Sequence, residues 1–163
     1  MIVVSDSGPL ISLMKAGRLE LLYHLYGEVL IPEAVYSELT GNRNYQAEAE
    51  QIDESSFIRV VTVKERKAVA VLQRVSGLDL GESEAIIYAD DAHADVLLME
   101  EAAGRQVAKA MGISVRGSLG VLLLGYDKGL ISAAEVEAAV EQMQVANRRI
   151  SKDLVQFVRD YVK

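Results

Sequence analysis

The chain has no cysteine and no tryptophan, and it has only two prolines and two histidines among 163 residues. The lack of cysteine excludes disulfides, zinc–thiolate sites and cysteine nucleophiles. The first residues, MIVVSDSGPL, show no basic segment of a signal peptide. No apolar run approaches the ~20 residues that a membrane-spanning helix needs. We therefore expect a cytoplasmic protein with no membrane partner.

Basic side chains are also in the minority, with 17 Lys and Arg against 24 Asp and Glu, for a net charge of −7. Proteins that bind nucleic acid through a basic surface use Lys and Arg to neutralise phosphate. A nucleic-acid-directed function would therefore need bound cations or local basic patches. An acidic excess that serves only solubility is an equally valid interpretation.

Half of the residues are hydrophobic, and the length suits one domain with its own core. Segments with helical periodicity separate short, mostly β-branched runs. Strands are predicted at residues 2–4, 29–31, 58–63, 95–99 and 113–115. Alternation of this kind predicts an α/β fold, in which helices cover both faces of a parallel sheet.

One stretch of the predicted helical structure is acidic. Residues 45–54 are expected to form a helix with a solvated face, and residues 40–42 to end the helix before it. The acids assigned to that solvated face are Glu48, Glu50, Asp53 and Glu54.

Two acidic residues directly follow predicted strands, Asp6 after the first and Glu100 after residues 95–99. In open α/β sheets, ligands bind beyond the carboxyl ends of the strands. If these two strands are neighbours, both carboxylates face one crevice. Asp6 is the stronger candidate for a functional residue, because its strand is hydrophobic up to that point.

Two further glutamates are candidate functional residues only in combination with Asp6 and Glu100. Glu82 lies at a predicted helix start, where the helix dipole favours a carboxylate, and its ordinary role there is capping. Glu38 lies within the helix after the second strand, where a solvated side chain is the ordinary interpretation. Together with Asp6 and Glu100 they would offer hard oxygen ligands, which suit Mg²⁺ or Mn²⁺.

Five segments resemble, in the same order, the sequence motifs of PIN domains. They are DSGPLISL at residues 6–13, IPEAVYSEL at 31–39, GESEAI at 81–86, LLMEE at 97–101 with Arg105 and Ala108, and GSLGVL at 117–122. The motifs lie within residues 1–131. The resemblance is closest to a stand-alone prokaryotic subfamily that is related to VapC-type toxins.

The resemblance implies a three-layer α/β/α PIN-like fold with a central parallel sheet of four to five strands. It implies one PIN-like domain over residues 1–163, in which residues 132–163 form a C-terminal helical extension. The implied activity is metal-dependent cleavage of single-stranded RNA with Mg²⁺ or Mn²⁺. The chain would then be the toxin-like component of a type II toxin–antitoxin system, acting as a homodimer with a small antitoxin protein as partner.

The motifs carry the family's site residues onto this chain one by one. The four implied catalytic acids are Asp6, Glu38, Glu82 and Glu100. Of these, Asp6, Glu82 and Glu100 are the implied metal ligands. The residues expected to assist them are Ser7, Glu101, Arg105 and Ser118.

One departure from the motifs leaves an alternative open. The pair Glu100-Glu101 stands where the family usually has two aspartates, and the added methylene moves a carboxylate by roughly 1.5 Å. Mg²⁺ requires near-ideal octahedral geometry. A catalytically degenerate PIN fold that only binds nucleic acid or protein is therefore the second hypothesis. A haloacid-dehalogenase-type phosphatase is disfavoured, because it needs a second Asp where this chain has Gly8.

Overall fold

The computed structural model describes residues 1–41, 44 and 46–163, and this part of the chain forms five strands and ten helices. The strands are β1 (Val3–Ser5), β2 (Val29–Pro32), β3 (Ile58–Val61), β4 (Val96–Leu98) and β5 (Val115–Arg116). The helices of the first half are α1 (Ser7–Lys15), α2 (Leu21–Tyr26), α3 (Glu33–Gly41), α4 (Gln46–Glu54) and α5 (Arg66–Ser76). Those of the second half are α6 (Leu80–Asp91), α7 (Ala102–Ala110), α8 (Ser118–Asp127), α9 (Ala133–Val145) and α10 (Lys152–Tyr161).

All five strands run parallel in one sheet, in the order β3-β2-β1-β4-β5. Val4 of the central strand β1 lies opposite Leu30 of β2 on one side and Leu97 of β4 on the other. The predicted α/β fold with a parallel sheet of up to five strands is confirmed. Since β1 and β4 are neighbours, the residues that follow them emerge at the same edge of the sheet.

The strands bury side chains on both faces, as parallel sheets do. Because successive side chains point to opposite faces, Val3 and Leu98 pack into the core shared with α1, α8 and α9. Val4 and Leu97 pack into the core on the other face, where Ile86 of α6 lies. Helices thus cover both sides of the sheet and form the three layers.

The last two helices pack onto the first of these cores. Val136 and Met143 of α9 and Val158 of α10 are buried in the same cluster as Val3 of β1. Helix α9 contacts α1 and α8, and α10 contacts α8 and α9. The single-domain assignment and the status of residues 132–163 as an extension stay predictions. No helix in the described ranges is both long and apolar enough to cross a lipid bilayer.

Several local details differ from the sequence-based expectations. The last strand is Val115–Arg116 rather than residues 113–115, because its pairing with Leu97 and Leu98 decides which residues are extended. The predicted solvated position of Glu48 is wrong: its side chain is buried and pairs with Lys15 at 2.5 Å. The predicted helix end at residues 40–42 includes Asn42, which lies outside the described residues.

Candidate active site

Asp6 occupies the junction between the central strand and the first helix. Its backbone N–H donates to the carbonyl of Leu98 in β4 at 2.9 Å, which extends the β1–β4 pairing by one residue. Its extended backbone then makes it the N-cap residue of α1. The residue is only 5% exposed, and its Oδ1 atom accepts no hydrogen bond from the described residues. A buried polar oxygen without a partner is rare and needs an explanation.

The surroundings of Asp6 disfavour its charged form. Burial raises the pKa of this carboxyl from 3.8 to about 7, although the neighbouring Ser7 N–H opposes the rise. The negative charges of Glu38, Glu82 and Asp79 raise the pKa of Asp6 further. Asp6 is therefore the centre of a group of carboxyl groups that repel one another.

Glu38 reaches this group from helix α3. Its Oε2 atom accepts a hydrogen bond from the Ser7 hydroxyl at 2.9 Å, and the Gly81 N–H also donates to its carboxylate. The carboxylate lies where a Cβ atom would stand if residue 81 were not glycine. Burial raises the pKa of Glu38, and so does the charge of Asp79.

Glu82 is held by the cap of helix α6. Its N–H donates to Asp79 Oδ1 at 2.8 Å, while the Asp79 N–H donates to Glu82 Oε1 at 3.4 Å, and the two contacts form a capping box. Burial raises the pKa of Glu82 to about 7, and the charges of Asp79 and Glu101 add to the rise. The other Glu82 oxygen lies beside Gly104 of α7, at 3.1 Å from the position of a Cβ atom there.

Glu100 has a different environment, although it follows the neighbouring strand. Both of its oxygens accept hydrogen bonds, Oε2 from the Ser12 hydroxyl at 3.0 Å and Oε1 from the Ser118 hydroxyl. Arg148, from the loop between α9 and α10, pairs with Oε2 at 3.4 Å. The same guanidinium also donates to the Ser12 hydroxyl at 2.9 Å and to the Gly8 carbonyl at 3.2 Å. Glu100 is thus a compensated carboxylate.

A sequence-family model described as a PIN domain matches residues 2–163. The chain belongs to the PIN-domain family. PIN domains are typically nucleases that use divalent metal ions, so membership indicates a nuclease-type function and a nucleic-acid substrate in general terms. No curated protein and no solved structure is significantly similar to the chain.

The residues that the PIN motifs single out fall into two groups. Asp6, Glu38 and Glu82 come together at one edge of the sheet, where the charges of Glu38 and Glu82 raise the pKa of Asp6. Glu100 lies at the same edge with Arg148 on one of its oxygens. The main charges that raise the pKa of Asp6 come from the first group and from Asp79, and Glu100 is not among them.

The expected assisting residues of this PIN domain support different members of the two groups. Ser7 donates to Glu38, and Ser118 donates to Glu100. Glu101 is exposed at the N-cap of α7, and its charge acts on Glu82. Arg105 donates to the carbonyl of Met99 at 2.9 Å, at the end of the strand that leads to Glu100.

Two residues of the site were missed by the sequence reasoning. Asp79 carries a detectable signal, because an Asp three residues before a Glu at a helix start is the pattern of a capping box. Arg148 carries none, since 140 residues separate it from the Gly8 carbonyl that it contacts. Its role depends on how α9, which precedes the Arg148 loop, packs against α1.

The first group offers the donor chemistry of a hard divalent cation. Carboxylate oxygens are the ligands that Mg²⁺ and Mn²⁺ prefer. The unpartnered Oδ1 of Asp6 and the raised pKa values of Asp6 and Glu82 are what a cation would relieve. Within residues 1–41, 44 and 46–163, no three acidic or histidine side chains already stand in a metal-binding arrangement. The donor set therefore fits the ion in chemistry, and side-chain rotation would have to bring the oxygens together.

Proposed function

We propose that this PIN domain is a Mg²⁺- or Mn²⁺-dependent ribonuclease that cleaves single-stranded RNA. The observation that supports the proposal most strongly is Asp6, a buried carboxylate with an unpartnered oxygen and a pKa of about 7, beside Glu38 and Glu82. Such an arrangement is unfavourable in the protein alone. Perturbed carboxylates of this kind concentrate at functional sites.

Each acid has a role in the proposed reaction. Asp6 would be the central ligand of the ion, and Glu82 a second ligand. Glu100 would contribute through a water, because both of its oxygens already accept hydrogen bonds. Glu38, held by the Ser7 hydroxyl, would orient the attacking water. The bound ion supplies a lowered pKa for water and positive charge beside the scissile phosphate.

The proposal also reconciles the acidic charge of the protein with a nucleic-acid substrate. Three mutually repelling carboxyl groups would repel a phosphodiester. A divalent cation among them reverses the local sign of the charge. Approach of the scissile phosphate to these carboxyl groups should therefore depend on the ion, as hydrolysis does.

The test is ribonuclease activity of the purified protein on a single-stranded RNA with Mn²⁺, compared with that of Asp6→Asn. Loss of a ligand worth several kcal/mol of transition-state stabilisation predicts a fall of about a thousandfold. A matched control is Asp91→Asn, which removes the same charge from an exposed position at the end of α6. Equal activity of the wild type and Asp6→Asn would sink the proposal.

The cellular role that we propose is that of a toxin-like component of a type II toxin–antitoxin system. Its support is the resemblance to VapC-type toxins, which also suggests a small antitoxin partner and a homodimer. Induced expression of the chain in a bacterial host should arrest growth, and expression of Asp6→Asn should not. Equal growth with both would contradict the toxin role. It would leave the ribonuclease proposal standing, because the assay on the purified protein tests that proposal independently.

A second candidate function has one observation in its favour. Arg148 already neutralises Glu100, as expected if this acid serves structure rather than metal binding. In that case the chain would be a catalytically degenerate PIN fold that binds nucleic acid or a protein. A chain of this kind would take up no Mn²⁺ even at millimolar concentration.

A further inference from the structure

Glu100 also lines a cleft of about 500 Å³. Its wall is built by the segment from β5 into α8 and by the loop between α9 and α10 together with α10. The charged side chains that line it are one glutamate and four arginines: Glu100, Arg105, Arg116, Arg148 and Arg149. In a protein with a net charge of −7, this is a marked local excess of positive charge.

Three of these arginines have no acidic partner among the described residues. Arg105 donates to the carbonyl of Met99, and Arg116 donates to the hydroxyl of Tyr26 at 2.8 Å. Arg149 is exposed and makes no ion pair with any side chain in the described ranges. Elsewhere, Arg66 pairs with Glu84 at 2.8 Å. Like charges that line one cleft repel one another, and an anion bound there would reduce that repulsion.

The cleft also has an apolar side. Leu123, Leu154 and Phe157 line it, and Phe157 is 56% exposed. The ring of Tyr161 lies next to that of Phe157 in a tilted arrangement, with the two ring centres 6.1 Å apart. An exposed aromatic ring beside guanidinium groups is the combination on which nucleic-acid bases stack while phosphates are bound.

We propose that this arginine cleft binds a nucleotide unit of the single-stranded substrate next to the cleavage point. Arg105, Arg116 and Arg149 would bind phosphate, and the base would stack on Phe157. Glu100 lines the cleft and lies at the same edge of the sheet as Asp6. An RNA chain that leaves the carboxylate cluster would therefore enter the cleft. The inference rests on the proposed function, because it takes the substrate from it.

An acidic peptide is the competing ligand that a basic cleft could attract. The aromatic wall favours the nucleotide, because an acidic peptide has no flat ring system to place against Phe157. Guanidinium forks also match phosphate oxygens in a bidentate geometry. Competition between the two ligands is therefore part of the test.

The test is binding of a fluorescein-labelled oligouridylate, measured by fluorescence anisotropy with the Asp6→Asn background so that the probe is not cleaved. Arg149→Ala should weaken binding by about tenfold and lower the salt dependence by about 0.7 in log–log slope, as expected for one lost phosphate contact. Phe157→Leu should also weaken binding about tenfold, but with an unchanged salt slope. Arg74→Ala is the matched control, since Arg74 is exposed on α5, does not line the cleft, and forms no ion pair in the described ranges.

Each result has a defined meaning. If Arg149→Ala binds as tightly as Arg74→Ala, or if an oligoaspartate peptide binds the cleft and the oligouridylate does not, the inference is overturned. Cleavage activity without any effect of Arg149→Ala would refute the cleft and leave the ribonuclease proposal intact. Arginine-dependent binding without Mn²⁺-dependent cleavage by the wild type would support the cleft and refute the ribonuclease proposal.

Discussion

The acidic side chains at the carboxyl edge of the sheet lie in two different electrostatic environments. Asp6, Glu38 and Glu82 lie among other carboxyl groups, and their pKa values are raised. Glu100 has two serine hydroxyls and one arginine on its oxygens. The contrast shows that position at a strand end does not decide the role of an acid. The cations and donors that the rest of the fold brings to it are what differ between the two groups.

The uncompensated group of Asp6, Glu38 and Glu82 lowers the stability of the folded protein. Taking Asp6 out of water without a counter-charge disfavours its ionised form. Active sites commonly contain groups that destabilise the free protein, and binding of a ligand offsets that cost. The compensated Glu100 needs no ligand to be stable, and its partner Arg148 also contacts Ser12 and the Gly8 carbonyl of α1.

The largest expected effect is on the folding stability of Asp6→Asn, measured against the wild type in buffer that contains a chelator. The pKa of Asp6 is about 7 in the folded protein against an ordinary 3.8, so the folded state holds this proton over a pH range in which the unfolded state has lost it. The wild type should therefore lose stability as pH rises from about 4 to 7, and the loss should persist above 7. The shift corresponds to about 4 kcal/mol, which an unpaired Asn amide will partly offset.

We accordingly expect Asp6→Asn to be about 2–4 kcal/mol more stable than the wild type near pH 8, with the difference vanishing towards pH 4. Urea denaturation across this range measures it. Asp91→Asn, which removes the same charge from an exposed position, is the control variant. An Asp6→Asn curve parallel to that of the wild type would mean that Asp6 is ionised without strain, and the contrast would be broken.

A smaller effect concerns the compensated side. Arg148 and Glu100 are each 26% exposed at their side chains, which limits the energy of their ion pair. A double-mutant cycle with Arg148→Ala and Glu100→Gln should give a coupling free energy of about 1 kcal/mol that falls with added salt. Strictly additive single variants would show that the pair does not stabilise the fold.

The fold was largely predictable because its signals are local. Short hydrophobic runs between helical segments are sufficient to predict a parallel sheet, and Asp6 could be singled out because it directly ends such a run. The two-residue strand Val115–Arg116 was misplaced, since pairing with β4 rather than its own sequence defines it. Glu48 was misassigned for a related reason: its burial depends on Lys15 of another helix.

The site was predictable only in part. The motifs identify its acids, and the structure places Glu38 against Gly81 and Glu82 beside Gly104, which no spacing rule would show. The division into uncompensated and compensated acids depends on Asp79 and Arg148. One of these acts through a local cap and the other through the packing of the last two helices.

The central claim is that the uncompensated group takes a divalent cation, and Mn²⁺ titration by calorimetry tests it most directly. Near pH 8 the wild type should bind Mn²⁺, Asp6→Asn should not, and Glu100→Gln should bind within about tenfold of the wild type, as expected for an acid that acts through water. No binding by the wild type at millimolar Mn²⁺, or equal binding by Asp6→Asn, would contradict the account.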